Sequence, residues 1–172
     1  IPSTAEPITL VEGVNGLSYT YDGLKYTKLS DKVNEVVKLG TGEQGLYTGK
    51  LTGYGPDCPG CSAVGNVSCR TRERKSHSLT YDGLYYTDDE YGSVRILAAD
   101  HQAFPCGTIV TVDNGVLDKF TGIVLDTGSA MRGAWRNEGI VWMDLAFTSQ
   151  KEALTGGATS SNTKFSVQRW GW

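Results

Sequence analysis

The sequence predicts a mainly β protein built around a small closed barrel, and three observations carry that reading. Glycine is abundant, at 22 residues, and tyrosine is frequent, at 9. β-Branched and aromatic residues fall in short runs separated by Gly, Asn and Asp, which is the pattern of many short strands joined by tight turns. About six or seven such runs lie in residues 47–172, a number that suits a small closed barrel better than an open sheet. The 172 residues suffice for one domain, or one domain with an appendage. Residues 1–46 differ from the rest and read as an N-terminal segment or linker rich in β-hairpin signals, with no cluster of chemistry.

Taken in order, residues 17–27 carry Asp22-Gly23 between two strand-like halves with alternating tyrosines, a strong hairpin signal. Residues 33–41 form another strand-like run. Residues 47–54 alternate apolar and polar, and a cysteine-bearing loop spans 55–70. The charged stretch 70–75 reads most simply as a solvated loop, with an anionic polymer as the less favoured partner. Residues 78–87 repeat the earlier pattern around Asp82-Gly83 and predict a second hairpin, followed by an exposed turn at 88–91. Strands are predicted over 94–99, 108–112, 120–125, 142–147 and 164–170, with a hairpin turn at Asp113-Asn114-Gly115. The predicted helices are short. The better one spans 149–154 and is stopped by Gly156 and Gly157.

The net charge of −3 provides no basic stripe to follow a phosphate backbone, so nucleic acid is not an expected partner. The longest apolar runs are strand-sized, well short of the roughly 20 residues of a membrane-spanning helix. The chain opens on Ile1-Pro2-Ser3 with neither an initiator Met nor a signal sequence, which reads as a processed or trimmed start. Of the four cysteines, Cys58 and Cys61 have zinc-ligand spacing, but Cys69 and Cys106 do not supply the second close pair of a four-thiolate site. Two disulfides in an exported protein fit better. Three pairings are open; the local pair Cys58–Cys61 with Cys69–Cys106 is the preferred one, because the second bridge would tie a long loop to the barrel.

Three apolar runs deliver an aspartate: 94–99 ends at Asp100, 123–125 at Asp126, and 142–147 carries Asp144. Any one of them alone is best read as a strand-end or turn residue. Three on consecutive runs point to a shared site, where burial raises a carboxyl group toward the range of a general acid.

The ordered set Thr52-Gly53-Tyr54, Cys58-Pro59-Gly60-Cys61, Ala98-Ala99-Asp100, 104–108, 125–133 and 143–147 resembles the three-aspartate domain of bacterial cell-wall enzymes. That family is related to membrane-bound lytic transglycosylase A and to stationary-phase muralytic proteins of spore formers. The resemblance covers residues 47–172. It implies a six-stranded double-psi β-barrel that cleaves the MurNAc–GlcNAc strand of peptidoglycan without water, leaving 1,6-anhydromuropeptides. Its three aspartates fall on Asp100, Asp126 and Asp144. Asp144 would be the acid and base, Asp126 its close partner, and Asp100 an orienting residue. Three features depart from the family pattern: His101 follows the first aspartate in place of Pro, Cys106 replaces Leu, and residues 134–139 lengthen the interval between Asp126 and Asp144.

Around these carboxylates, Gly128 and Ser129 are read as letting backbone approach a sugar, Arg132 as a substrate contact, and Tyr54 and Trp135 as stacking faces, with a core role equally open to Tyr54. No metal or organic cofactor is expected, and His77 and His101 are not spaced as a ligand pair. The implied protein is a monomer, secreted or wall-associated, or part of a phage or conjugative wall-penetrating apparatus. Two rivals remain. One is a non-catalytic, expansin-like barrel that only grips polysaccharide. The other is an aspartic protease using Asp126-Thr127-Gly128, which would need a second such motif or a homodimer.

Overall fold

The structure is a computed structural model; it describes residues 7–13, 18–22, 25–30, 34–40, 45–61 and 64–172. The chain divides into two units near residue 43, three residues before the boundary read from the sequence. In the first unit β1 (Pro7–Gly13) pairs antiparallel with β4 (Asn34–Gly40), and β2 (Ser18–Asp22) with β3 (Lys25–Ser30). Asp22 faces Lys25 across the predicted hairpin; the turn residues Gly23 and Leu24 lie outside the described residues.

The second unit contains β5 (Leu46–Tyr54), β6 (Tyr85–Asp88), β7 (Gly92–Ala98), β8 (Ile109–Asp113), β9 (Phe120–Asp126), β10 (Trp142–Ala146) and β11 (Ser160–Arg169). Six of these strands close on themselves in the order β10, β5, β11, β8, β9, β7 and back to β10, while β6 extends the sheet from β7. Two pairings are parallel, β10 with β5 and β7 with β9, and the other four around the ring are antiparallel. This is the closed barrel that the strand count predicts.

Its strands are short because both faces are covered. Leu51, Leu97, Val112, Val124, Leu145 and Phe165 fill one cluster. Ile96, Ile109, Ile123 and Leu125 form a second, which Val67, Cys69 and Leu79 of the preceding loop cover. Strands buried on both faces read as continuous apolar runs rather than alternations, and Ile123, Val124 and Leu125 are all fully buried. The covering loop is fixed by the Cys69–Cys106 disulfide, and Cys58–Cys61 closes a local loop, so both expected bridges are present.

Two sequence expectations need correction. Residues 78–87 are not a hairpin. Asp82 accepts a hydrogen bond from the Ser78 N–H at 2.8 Å, and the Asp82 N–H donates back to the Ser78 carbonyl at 2.7 Å, which closes a compact turn instead of a strand pair. Leu79 is thereby buried, and the true partner of β6 is β7. Residues 88–91 do connect those strands, but Asp88 is buried rather than exposed. Its carboxylate accepts from the N–H groups of Glu90 and Tyr91 and from both terminal nitrogens of Arg169, at 2.9 and 2.6 Å. The closing strand β11 is thus locked to the β6–β7 turn.

The predicted helix appears as α2 (Gln150–Thr155), following Ser149, whose hydroxyl accepts the Glu152 N–H. A helical segment the sequence did not signal, α1 (Ser129–Gly133), runs directly into a π-helical turn, Ala134–Glu138. Gly139 ends it in a left-handed conformation, φ 68°. The lengthened interval therefore folds upon itself, and β10 keeps an unbroken register with β5.

Arg169 holds the Asp88 carboxyl down to about 2. A lowered carboxyl contributes stability above its unfolded value of 3.8 and loses it as pH falls toward 2. Asp88→Ala strands the guanidinium and is expected to cost about 3–5 kcal/mol at neutral pH. Urea unfolding at several pH values should show the gap from the parent narrowing below pH 4.

Candidate active site

The site is built on one face of two neighbouring strands. Lys50, Thr52 and Tyr54 alternate along β5 and therefore share a face. The parallel register sets Trp142 beside Lys50, Asp144 beside Thr52 and Ala146 beside Tyr54. On its other side β10 meets β7, where Asp144 is opposite Ala98. The same Ala98 is the partner of Asp126 in β9. Two aspartates from different strands thus flank one small buried residue.

Asp144 accepts a hydrogen bond from the Thr52 hydroxyl, and Thr52 accepts one from the indole N–H of Trp142 at 2.7 Å. Burial pushes the Asp144 carboxyl above the ordinary aspartate range, and the nearby charge of Asp126 adds to this against the opposing influence of Thr52 and Lys50. Asp126 is held by three donors: the Ser68 N–H at 3.0 Å, the Thr127 N–H at 2.8 Å and the Tyr54 hydroxyl at 2.9 Å. Burial, then the charges of Asp126 and Asp144, raise the Tyr54 phenol well above its usual value, so it remains a donor. The arrangement pairs a carboxylate rich in donors, Asp126, with one whose carboxyl burial raises, Asp144.

The third aspartate has other work. Asp100 is buried and receives a forked pair of bonds from Arg136, at 3.1 and 3.2 Å, with a third from the Gln102 N–H. Burial raises its carboxyl, but these donors outweigh burial and the net position is below the ordinary value. Asp100 therefore clasps the π-helical turn rather than holding a proton.

Trp135 is half-buried against the barrel core. Gly128 makes room for the Met131 methyl, which a Cβ there would meet at 2.3 Å. Ser129 is the exposed first residue of α1, and Arg132 is half-buried in its last turn. Lys50, Thr52, Ser68 and Trp142 went unnoticed in the sequence. The period-two spacing of Lys50, Thr52 and Tyr54 was a usable signal; Ser68 contributes only backbone and gave none.

Cys69, His101 and Cys106 converge, their ligand atoms lying within 4.8 Å of one another. The two sulfurs are bonded together, and His101 Nε2 also lies 2.9 Å from the Asp126 carbonyl. No protein-family model matches the chain, and no curated protein or solved structure shows significant similarity to it.

A raised carboxyl favours folding below its unfolded value of 3.8 and loses that contribution as pH rises through its folded value. Asp144→Asn keeps an acceptor for Thr52 without the buried charge. The variant is expected to unfold at higher temperature than the parent at pH 7, with the difference vanishing near pH 3. A variant less stable at pH 7 would contradict the geometry.

Proposed function

We propose that this barrel cleaves the glycan strand of peptidoglycan as a lytic transglycosylase, with Asp144 as the acid and base. The observation that carries the reading is the Asp126–Asp144 pair around Ala98, in which burial and the neighbouring charge raise the Asp144 carboxyl, the direction that a general acid requires.

Protonated Asp144 donates its proton to the glycosidic oxygen between MurNAc and GlcNAc, and the bond from that oxygen to C1 of MurNAc breaks. The positive charge left on the sugar ring is stabilised by the Asp126 carboxylate, whose position Ser68, Thr127 and Tyr54 fix. Asp144, now a carboxylate, accepts the proton of the C6 hydroxyl as that oxygen bonds to C1. The result is a 1,6-anhydro sugar, and the enzyme returns to its starting protonation state. Thr52 and Trp142 orient Asp144 through both steps.

A hydrolase would use the second carboxyl, Asp126, to activate water or attack C1, and its reducing-end products would distinguish it from a transglycosylase. An aspartic protease would need two carboxylates sharing a proton across a pseudo-two-fold. Here the neighbour of Asp126 is Asp144 of the same chain, on a strand with no Asp-Thr-Gly sequence. Two disulfides are consistent with an extracellular protein, and the proposed place of work is the bacterial wall.

Digestion of purified peptidoglycan followed by mass analysis tests the proposal. Products lighter by one water than hydrolytic fragments are expected. Asp144→Asn should lose roughly 10²–10⁴-fold in turnover, and Asp126→Asn should lose less. Reducing-end products, or an active Asp144→Asn protein, would overturn the assignment; a folded parent that binds glycan and never cleaves it would leave a polysaccharide-gripping barrel.

A further inference from the structure

Beside Asp144 lies a groove of about 370 Å³. Lys50 and Trp142 line it from the sheet, and Ala130, Gly133, Ala134 and Asn137 from the helical segment. Small residues on the helical side leave width for a ring. The Lys50 ammonium lies 3.6 Å from the centre of the Trp142 ring, and Lys50 is half-buried. None of the ion pairs among the described residues includes it. It is a half-buried cation that lines a groove, and the nearby Asp144 feels its charge without forming an ion pair with it.

The groove is linked to Asp144 through Trp142 and Thr52. Trp142 donates to Thr52, and Thr52 donates to Asp144, so an occupant held at Lys50 sits two residues along the strand from Asp144. We propose that this groove is a recognition subsite for a carboxylate borne on the glycan, with Lys50 as its specificity-determining residue. Glu138 lines the same groove but is exposed, where solvent and salt screen its charge more than that of half-buried Lys50. Ala134, Asn137 and Glu138 of the helical wall come from the segment that lengthens the interval between Asp126 and Asp144, while Lys50 and Trp142 belong to the barrel strands. A carboxylate engaged with Lys50 would also cancel part of the positive charge that opposes proton retention on Asp144. The subsite rests on the reading of Asp144 as a glycan-cleaving acid, although its test needs no turnover.

Two sources could present such a carboxylate: the lactyl group, free only where no peptide is attached to it, or the peptide stem. Binding is measured with Asp144→Asn by co-sedimentation with intact sacculi, with sacculi stripped of peptide by an amidase, and with chitin, which is neutral. The form of sacculus that presents the carboxylate should bind about tenfold more tightly than chitin, the scale of one charge-assisted bond. Adding Lys50→Met should abolish that preference, and Lys50→Arg should retain most of it. Lys119→Met, which removes an exposed lysine elsewhere, should change nothing. Amidase frees the lactyl carboxylate, so a preference over chitin that appears or strengthens on stripping would locate the carboxylate on the sugar, and one lost on stripping would locate it on the peptide. No preference by either form would overturn the proposal. A preference that survives Lys50→Met, or that Lys119→Met removes equally, would overturn the proposal. Lys50-dependent binding by a parent that releases no product would sustain the subsite while sinking the transglycosylase reading.

Discussion

The position of β10 is the constraint on which the rest depends. That strand must pair parallel with β5 on one side and antiparallel with β7 on the other, and it is the contact that closes the barrel. Entry to it is narrow. The Lys50 N–H donates to the Val141 carbonyl at 2.8 Å, and a Cβ on Gly49 would sit 2.1 Å from that same oxygen. Only glycine permits so close an approach, so the register that sets Asp144 against Thr52 is dictated in part by an absent side chain. A shift of one residue would turn Asp144 toward the interior and Met143 out of it; full burial of Met143 and Leu145 on either side of Asp144 holds the register against that slip.

Given that frame, one residue type acquires three characters from its surroundings. Asp100 is more buried than Asp144, yet its carboxyl lies lower, because a guanidinium fork and a backbone N–H meet it. Asp144 has a single hydroxyl donor and a neighbouring carboxylate, so burial prevails. Asp126 has three donors. For Asp100 and Asp144 the number and charge of the donors, weighed against burial, set the direction in which each carboxyl moves.

Much of the barrel was legible because its signals are local. Apolar runs at 94–99, 108–112 and 120–125 became β7, β8 and β9, and Ser149 with Gly156 bounded α2. The three aspartates were legible as strand-end carboxylates, but their grouping was not fully so. Asp100 stands apart from the Asp126–Asp144 pair because of Arg136, which sits on a π-helical turn that no periodicity announces. The Asp82-Gly83 pair misled because a turn dipeptide marks reversal of the chain and not what flanks it. The first copy lies between paired strands, whereas the second is drawn into a turn by the burial of Leu79. Long-range partners such as Arg169 for Asp88 leave no trace in local pattern at all.

The covering loop shows why a cross-link belongs next to this site. Residues 64–84 form no strand longer than an isolated bridge, Asn66 to Ser78, so the regular ladder does little to hold them. Yet this loop both seals the outer hydrophobic cluster and supplies the Ser68 N–H to Asp126. Cys69, the next residue, donates its own N–H to the Leu125 carbonyl at 2.9 Å and is bonded through sulfur to Cys106. A bridge spanning 37 residues removes roughly 4 kcal/mol of chain entropy from the unfolded state. That contribution falls where secondary structure contributes least, one residue from a donor that fixes a carboxylate. The disulfide is therefore to the loop what the strand ladder is to β10: the element that converts a hydrophobic cover into a positioned hydrogen bond.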